Sequence, residues 1–162
     1  MVQDLGDGLI LRRTTAADAG ALAAFNADQI RFQDMPEPFP PLGVWTRDLL
    51  GGRHPTFRPE DGFIVEDRKT GAIVSSMLLI SQTWEYGGVP FRVGQPELVG
   101  SRPDYRGRGL VRAQFEALHR ASAERGELMQ VIAGIPWFYR QFGYEMALPR
   151  GGGPRFSPGG VA

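Results

Sequence analysis

Leu9–Arg13 (LILRR), three apolar positions followed by two basic ones, alternates enough to predict a short first strand. The alanine-rich run TTAADAGALAAFNADQI, residues 14–30, carries Ala21, Leu22, Phe25 and Ile30 at helical spacing, with Asp18 near its start, and predicts a helix. Four prolines in MPEPFPPLG, residues 35–43, argue against any regular helix or central strand there. Trp45–Leu50 then reads as a helical turn or two, closed by Gly51-Gly52. Phe63–Glu66 and Ile73–Ile80 are β-rich runs joined by DRKTG, a good hairpin connection. A second reversal at YGGVP, residues 86–90, leads into FRVGQPELVGS, where Gly94 and Pro96 predict a bulged or bent strand.

Leu110–Arg125 fits an amphipathic helix with Leu110, Val111, Phe115, Leu118 and Ala121 on its apolar face, and Gly126 is a natural stop. LMQVIAG, residues 128–134, reads as a short buried strand. Pro136 suits the first turn of a helix that holds Trp137, Phe138 and Tyr139 and ends near Gly143; YEMAL, residues 144–148, would be a last strand. Strands in hairpins followed by a strand–helix–strand crossover over residues 97–132 imply a mixed α/β domain, with one parallel pair in an otherwise antiparallel sheet.

Composition narrows the partners. With 162 residues the chain is long enough for one domain, and 42% hydrophobic residues exclude a disordered one. Basic and acidic residues balance at 18 each, so a nucleic-acid binder, which needs a surplus of positive charge, is not expected. The absence of cysteine excludes disulfides, zinc–thiolate sites and a cysteine nucleophile; His54 and His119 are too few and too far apart for a histidine-rich metal site. No secretion signal and no membrane-spanning run is expected, which makes a cytoplasmic protein the default reading. Residues 1–150 read as the domain. The Gly/Pro-rich tail, residues 151–162, is either a loose end or a linker to further domains.

The chemistry concentrates in RPDYRGRGLVRAQFEALHR, residues 102–120. A glycine-rich turn feeding a helix exposes successive backbone N–H groups at the positive end of the helix dipole. Gly107 and Gly109 let a bulky group approach, while Arg106 and Arg108 add forked donors for phosphate oxygens. Together these suit a pyrophosphate. Spacing excludes two other phosphate loops. No Gly-Lys pair follows at the Walker distance, and Arg112 stands where a dinucleotide fingerprint needs its third glycine.

This stretch closely resembles the acetyl-CoA-binding motif of the GCN5-related N-acetyltransferase (GNAT) superfamily, an Arg/Gln-x-x-Gly-x-Gly/Ala turn between a strand and a helix. Arg106, Gly107, Arg108, Gly109, Leu110 and Val111 fill it, with valine where the family prefers a small residue. FYRQFGYE, residues 138–145, resembles the family's second signature, a tyrosine followed by an apolar-Gly-aromatic turn. The run from Glu85 to Glu145 is most like the enhanced-intracellular-survival-type branch, whose members carry further domains. The resemblance implies the GNAT fold, acetyl-CoA as cosubstrate, and acetyl transfer to a primary amine by direct attack in a ternary complex. A non-catalytic acyl-CoA-binding or regulatory domain is the alternative.

By the same resemblance, Tyr139 would protonate the leaving thiolate of coenzyme A. Val99, Gly100 and Ser101 would lie along the pantetheine arm, with a bulge in that strand freeing an N–H for the thioester carbonyl. Glu97 is the leading candidate to deprotonate the amine; Glu145 and His119 are weaker ones, His119 reading as an exposed helix residue. Residues 31–45 and the Tyr86-Gly87-Gly88 reversal would wall the acceptor cleft, where Asp34, Glu37, Glu85 and Glu97 would favour a cationic small molecule or peptide amine, and where Trp45 and Trp84 either line the pocket or pack in the core. A homo-oligomer is compatible with the family; no metal or membrane partner is expected.

Overall fold

The computed structural model describes residues 2–30, 37–135 and 137–148. Asp34, Pro136 and the tail at 151–162 therefore lie outside the described residues. The chain divides into two compact units, Met1–Ile132 and Ala133–Ala162.

The first unit holds six strands and three α-helices among its described residues. The strands are β1 (Val2–Gly6), β2 (Leu9–Arg13), β3 (Gly62–Asp67), β4 (Ala72–Tyr86), β5 (Val89–Ser101) and β6 (Met129–Gln130); the helices are α1 (Ala19–Gln29), α2 (Pro40–Leu50) and α3 (Leu110–Glu124). The sheet runs in the order β1 to β6, antiparallel throughout except for the parallel β5–β6 pair. The fold class read from the pattern is the one observed. None of the α-helices among the described residues is long and apolar enough to cross a membrane.

Alternation along β4 sorts the two layers. Leu78 and Ile80 join Leu22, Phe25, Leu49 and Leu50 in the core under α1 and α2, with Ile64 and Leu98. Ser75, Met77 and Leu79, one step out of phase, face α3, which explains why Ile73–Ile80 reads as an unbroken buried run rather than an alternating one. α1 and α2 approach closely at Gly43, where an added Cβ would stand 3.1 Å from the Ala23 carbonyl oxygen. Asn26 fastens them, its Nδ2 donating to Thr46 Oγ1 at 3.0 Å.

The structure corrects several local expectations. α2 starts at Pro40, because prolines at its first two positions need no intrahelical N–H partner there. An extra strand, β1, folds back on β2. The buried strand expected over residues 128–134 shrinks to Met129–Gln130. In the second unit the expected helix is a 3-10 helix at Phe138–Phe142, entered through Trp137 at φ +69°, and residues 144–148 form no strand.

β5 is bulged, but not at Gly94 or Pro96, which pair in register with Ser81 and Leu79. Glu97 faces Leu78 and Gly100 faces Ser76, so three steps on β5 oppose two on β4, and the extra residue falls beside Leu98, which takes φ +53°. Pro96 has a different effect. The carbonyls of Arg92 and Gly94 accept from Leu128 and Val131 of the neighbouring chain segment. Alternation would aim a Pro96 N–H the same way, and proline has none, so the β5–β6 ladder stops at Gly94.

Candidate functional site

Beyond Gly94, β5 runs past the end of β6 and turns into the segment that starts α3. The Arg102 amide donates to the Val74 carbonyl (2.9 Å), so residues 102 and 100 bond toward β4. The amides of Val99 and Ser101 then point to the opposite edge. Gly100 itself faces β4, its carbonyl 3.0 Å from Ser75 Oγ, and its missing Cβ admits Ile30, whose Cγ1 would lie 2.9 Å from one.

The turn that follows is held from below. Arg102 Nε donates to the Ile73 carbonyl (3.1 Å), and the Tyr105 hydroxyl donates to Asp67 Oδ2 (2.7 Å). That bond holds the Asp67 carboxyl below its ordinary range and raises the Tyr105 hydroxyl. The Arg108 guanidinium lies over the Tyr105 ring at 4.9 Å and donates to the Asp104 carbonyl (3.2 Å). Arg106 Nε reaches the Ser101 carbonyl at 3.4 Å.

Gly107 and Gly109 both take φ +74°, and a Cβ at either would meet nothing within 4 Å. Gly109 is the N-cap of α3, and no side chain caps that end. The first helical hydrogen bond runs from the Ala113 amide to the Gly109 carbonyl (3.0 Å). Among the described residues no protein acceptor takes the amides of residues 107–111. They form a cradle of N–H groups at the positive end of a 15-residue helix, where Arg106, Gly107, Arg108 and Gly109 are exposed. Val111 is half-buried. Donor set and space both fit a diphosphate.

Glu97 lies on the α1/α2 face of the sheet, opposite Leu78. It accepts from Gln95 Nε2 (2.6 Å), Gln95 accepts from Gln82, and Gln82 accepts from the Trp84 indole N–H (2.7 Å). Trp84 is thus bound into a polar chain, while Trp45 packs against the core. His119 is half-buried rather than exposed, its ring 5.5 Å from Phe115, and burial lowers its pKa. His54 packs edge-on to Phe57.

Within the second unit, Tyr139 is half-buried and rests edge-to-face on Phe138 (5.1 Å) and near Tyr144 (6.2 Å). Gly134 leaves room for its ring, since a Cβ there would stand 3.1 Å from Tyr139 Cζ. Burial, then the neighbouring Tyr139, pushes the Tyr144 hydroxyl well above its ordinary value. Glu145 is engaged by Arg140 (Nε–Oε1 2.8 Å), which lowers its carboxyl.

The sequence reading missed the residues that hold the turn and strand in place, namely Arg102, Tyr105 with Asp67, and Gln114 with Ser75. One signal was available. Gln114 falls one helical turn from both Leu110 and Leu118, on the apolar stripe, where a polar side chain must find partners.

A mixed sheet whose parallel pair ends short of the strand-to-helix turn, with open amides at that turn, defines an α/β protein. The acetyltransferase (GNAT) domain family matches residues 16–147, and the chain belongs to that family. The fold is similar to a Trypanosoma brucei acetyltransferase (23% identity, TM-score 0.66, 92% of this chain and 99% of that one). It is also similar to part of a longer Enterococcus faecalis probable N-acyltransferase (18% identity, TM-score 0.67, 85% of this chain and 32% of that one). A third similar structure is a Clostridium acetobutylicum protein described as a predicted acetyltransferase with acetyl-CoA (14% identity, TM-score 0.63, 86% of this chain and 91% of that one). No curated protein matches the sequence.

Proposed function

We propose that this protein is an acetyl-CoA-dependent N-acetyltransferase that passes the acetyl group directly to a primary amine while both substrates are bound. The observation that carries this reading is the cradle of open amides at residues 107–111, on the strand-to-helix turn of a GNAT-family chain. These amides, with Arg106 and Arg108, would hold the diphosphate of coenzyme A. The outward amides of Val99 and Ser101 would hold the pantetheine arm, with Gly100 keeping the strand close to α1. When bound, acetyl-CoA supplies the acetyl group as an activated thioester.

The remaining roles fall to this chain's side chains. Glu97 is assigned the proton of the acceptor ammonium, and the Tyr139 hydroxyl is assigned the proton that the departing sulfur takes. The bulge beside Leu98 supplies the strand distortion that frees an N–H for the thioester carbonyl. Glu145, bound to Arg140 with a lowered pKa, is a poorer base. With no cysteine, a covalent acyl-enzyme on sulfur has no carrier. The acceptor is a cationic small molecule or peptide amine, which Glu37, Glu85 and Glu97 would attract. We assign the chain to the enhanced-intracellular-survival-type branch, with residues 1–150 as the transferase domain, and place it in the cytoplasm. The match to about a third of the longer Enterococcus faecalis chain supports a domain that also occurs within larger proteins.

Calorimetry tests the central point. Coenzyme A and acetyl-CoA bind the wild type, and Gly109→Glu weakens binding by about a hundredfold or more, since it forces a side chain into the left-handed region and sets a carboxylate in the cradle. A wild type that gives no binding heat at millimolar coenzyme A contradicts the reading.

A further inference from the structure

Gln114 is fully buried in the second turn of α3 and is tied to three strands. Its Nε2 donates to the Phe63 carbonyl on β3 at 2.9 Å. Its Oε1 lies 2.7 Å from Ser75 Oγ on β4. Ser75 Oγ in turn lies 2.8 Å from Ser101 Oγ and 3.0 Å from the Gly100 carbonyl, both on β5.

A hydroxyl has one proton, and Ser75 faces two carbonyl acceptors. If it donated to Gly100, the buried Gln114 oxygen would lose this donor, a costly state. Donation to Gln114 leaves Ser75 free to accept, and Ser101 is the donor within reach. The protons therefore run from Ser101 to Ser75 to Gln114, and from Gln114 to Phe63. This line joins the helix whose first turn forms the amide cradle to the end of the strand whose outward amides begin two residues earlier. It also turns the Ser101 hydroxyl inward, so that Ser101 offers a ligand its backbone.

We propose that Gln114 is a positioning residue, which sets the separation between the diphosphate cradle at residues 107–111 and the strand edge at Val99–Ser101. The inference rests on the coenzyme A reading above. A ligand that spans two subsites gains from the second contact only when their separation matches its own length. Removing the Gln114 amide leaves each subsite intact and loosens the spacing between them.

The test compares coenzyme A with ADP, which carries the diphosphate but no pantetheine arm. In Gln114→Leu, ADP affinity is unchanged while coenzyme A affinity falls about tenfold, so that the advantage of the long ligand shrinks. Ser75→Ala, a smaller change, shifts the same ratio in the same direction, and it decides the question if Gln114→Leu fails to fold. Equal losses for both ligands, or no loss for either, overturn the proposal. A wild type that binds ADP but gains nothing from the pantetheine arm, or binds neither ligand, overturns the coenzyme A reading and this inference with it. A wild type with the expected preference and a variant with an unchanged ratio overturns this inference alone.

Discussion

Single side chains divide here into those that leave backbone open and those that hold it still. Gly107 and Gly109 belong to the first group; both take positive φ in a turn whose amides, at residues 107–111, have no protein acceptor among the described residues. Tyr105, Arg102 and Gln114 belong to the second, each bonded to a strand below the turn. Tyr139 has an assigned chemical role, and its test is a change of one atom. Tyr139→Phe keeps the ring on Phe138 and removes the hydroxyl. Turnover, followed as coenzyme A release with a panel of amines, falls about a hundredfold, while calorimetry gives nearly unchanged coenzyme A affinity. Unchanged turnover removes Tyr139 from that role. The cradle was legible because glycine spacing reports backbone conformation directly. The buried Gln114 was not read, because its partners, Ser75 and Phe63, lie 39 and 51 residues away in sequence.

At the level of elements, hairpins and helices were mostly legible because local periodicity determines them. α3 runs from Leu110 to Glu124 and stops at Gly126, as its apolar stripe and glycine indicate. What misled was proline. In α2 it occupies the first helical positions, where it costs nothing. In β5, Pro96 ends a ladder instead of bending a strand, which no local pattern distinguishes. One tie between elements has a pH signature. Arg12 on β2 pairs with Asp18 at the start of α1 (2.7 Å) and with Glu66 on β3 (2.8 Å). The Arg12 hydrogen bond, foremost among several causes, holds the Asp18 carboxyl below its ordinary value of 3.8. A lowered carboxyl contributes stability that is present above the ordinary value and is lost as pH falls through the folded one. Urea midpoints of the wild type should therefore drop from about pH 5 downward. Asp18→Asn should flatten part of that fall and lose up to about 1 kcal/mol at neutral pH, a small figure because the pair is partly solvated. An identical acid limb in both proteins contradicts this account of the tie.

The whole molecule concentrates positive potential at one place. Its charges balance overall, so the positive potential at Arg106, Arg108 and the start of α3 is local and is reinforced by backbone amides rather than by a basic surface. The sheet is covered on both faces over β4, and β5 beyond Gly94 stays paired with β4 but has no strand on its other side among the described residues, leaving an edge that leads into the turn before α3. Family membership follows from residues 16–147 as a whole, whereas the acceptor depends on surfaces that sequence patterns describe poorly. The most direct measurement is an amide-resolved NMR titration of the 15N-labelled protein with coenzyme A. The account predicts that the amides of Gly107–Val111 move first and farthest, joined by Val99 and Ser101. Saturable binding that leaves those amides unmoved and shifts others would contradict it.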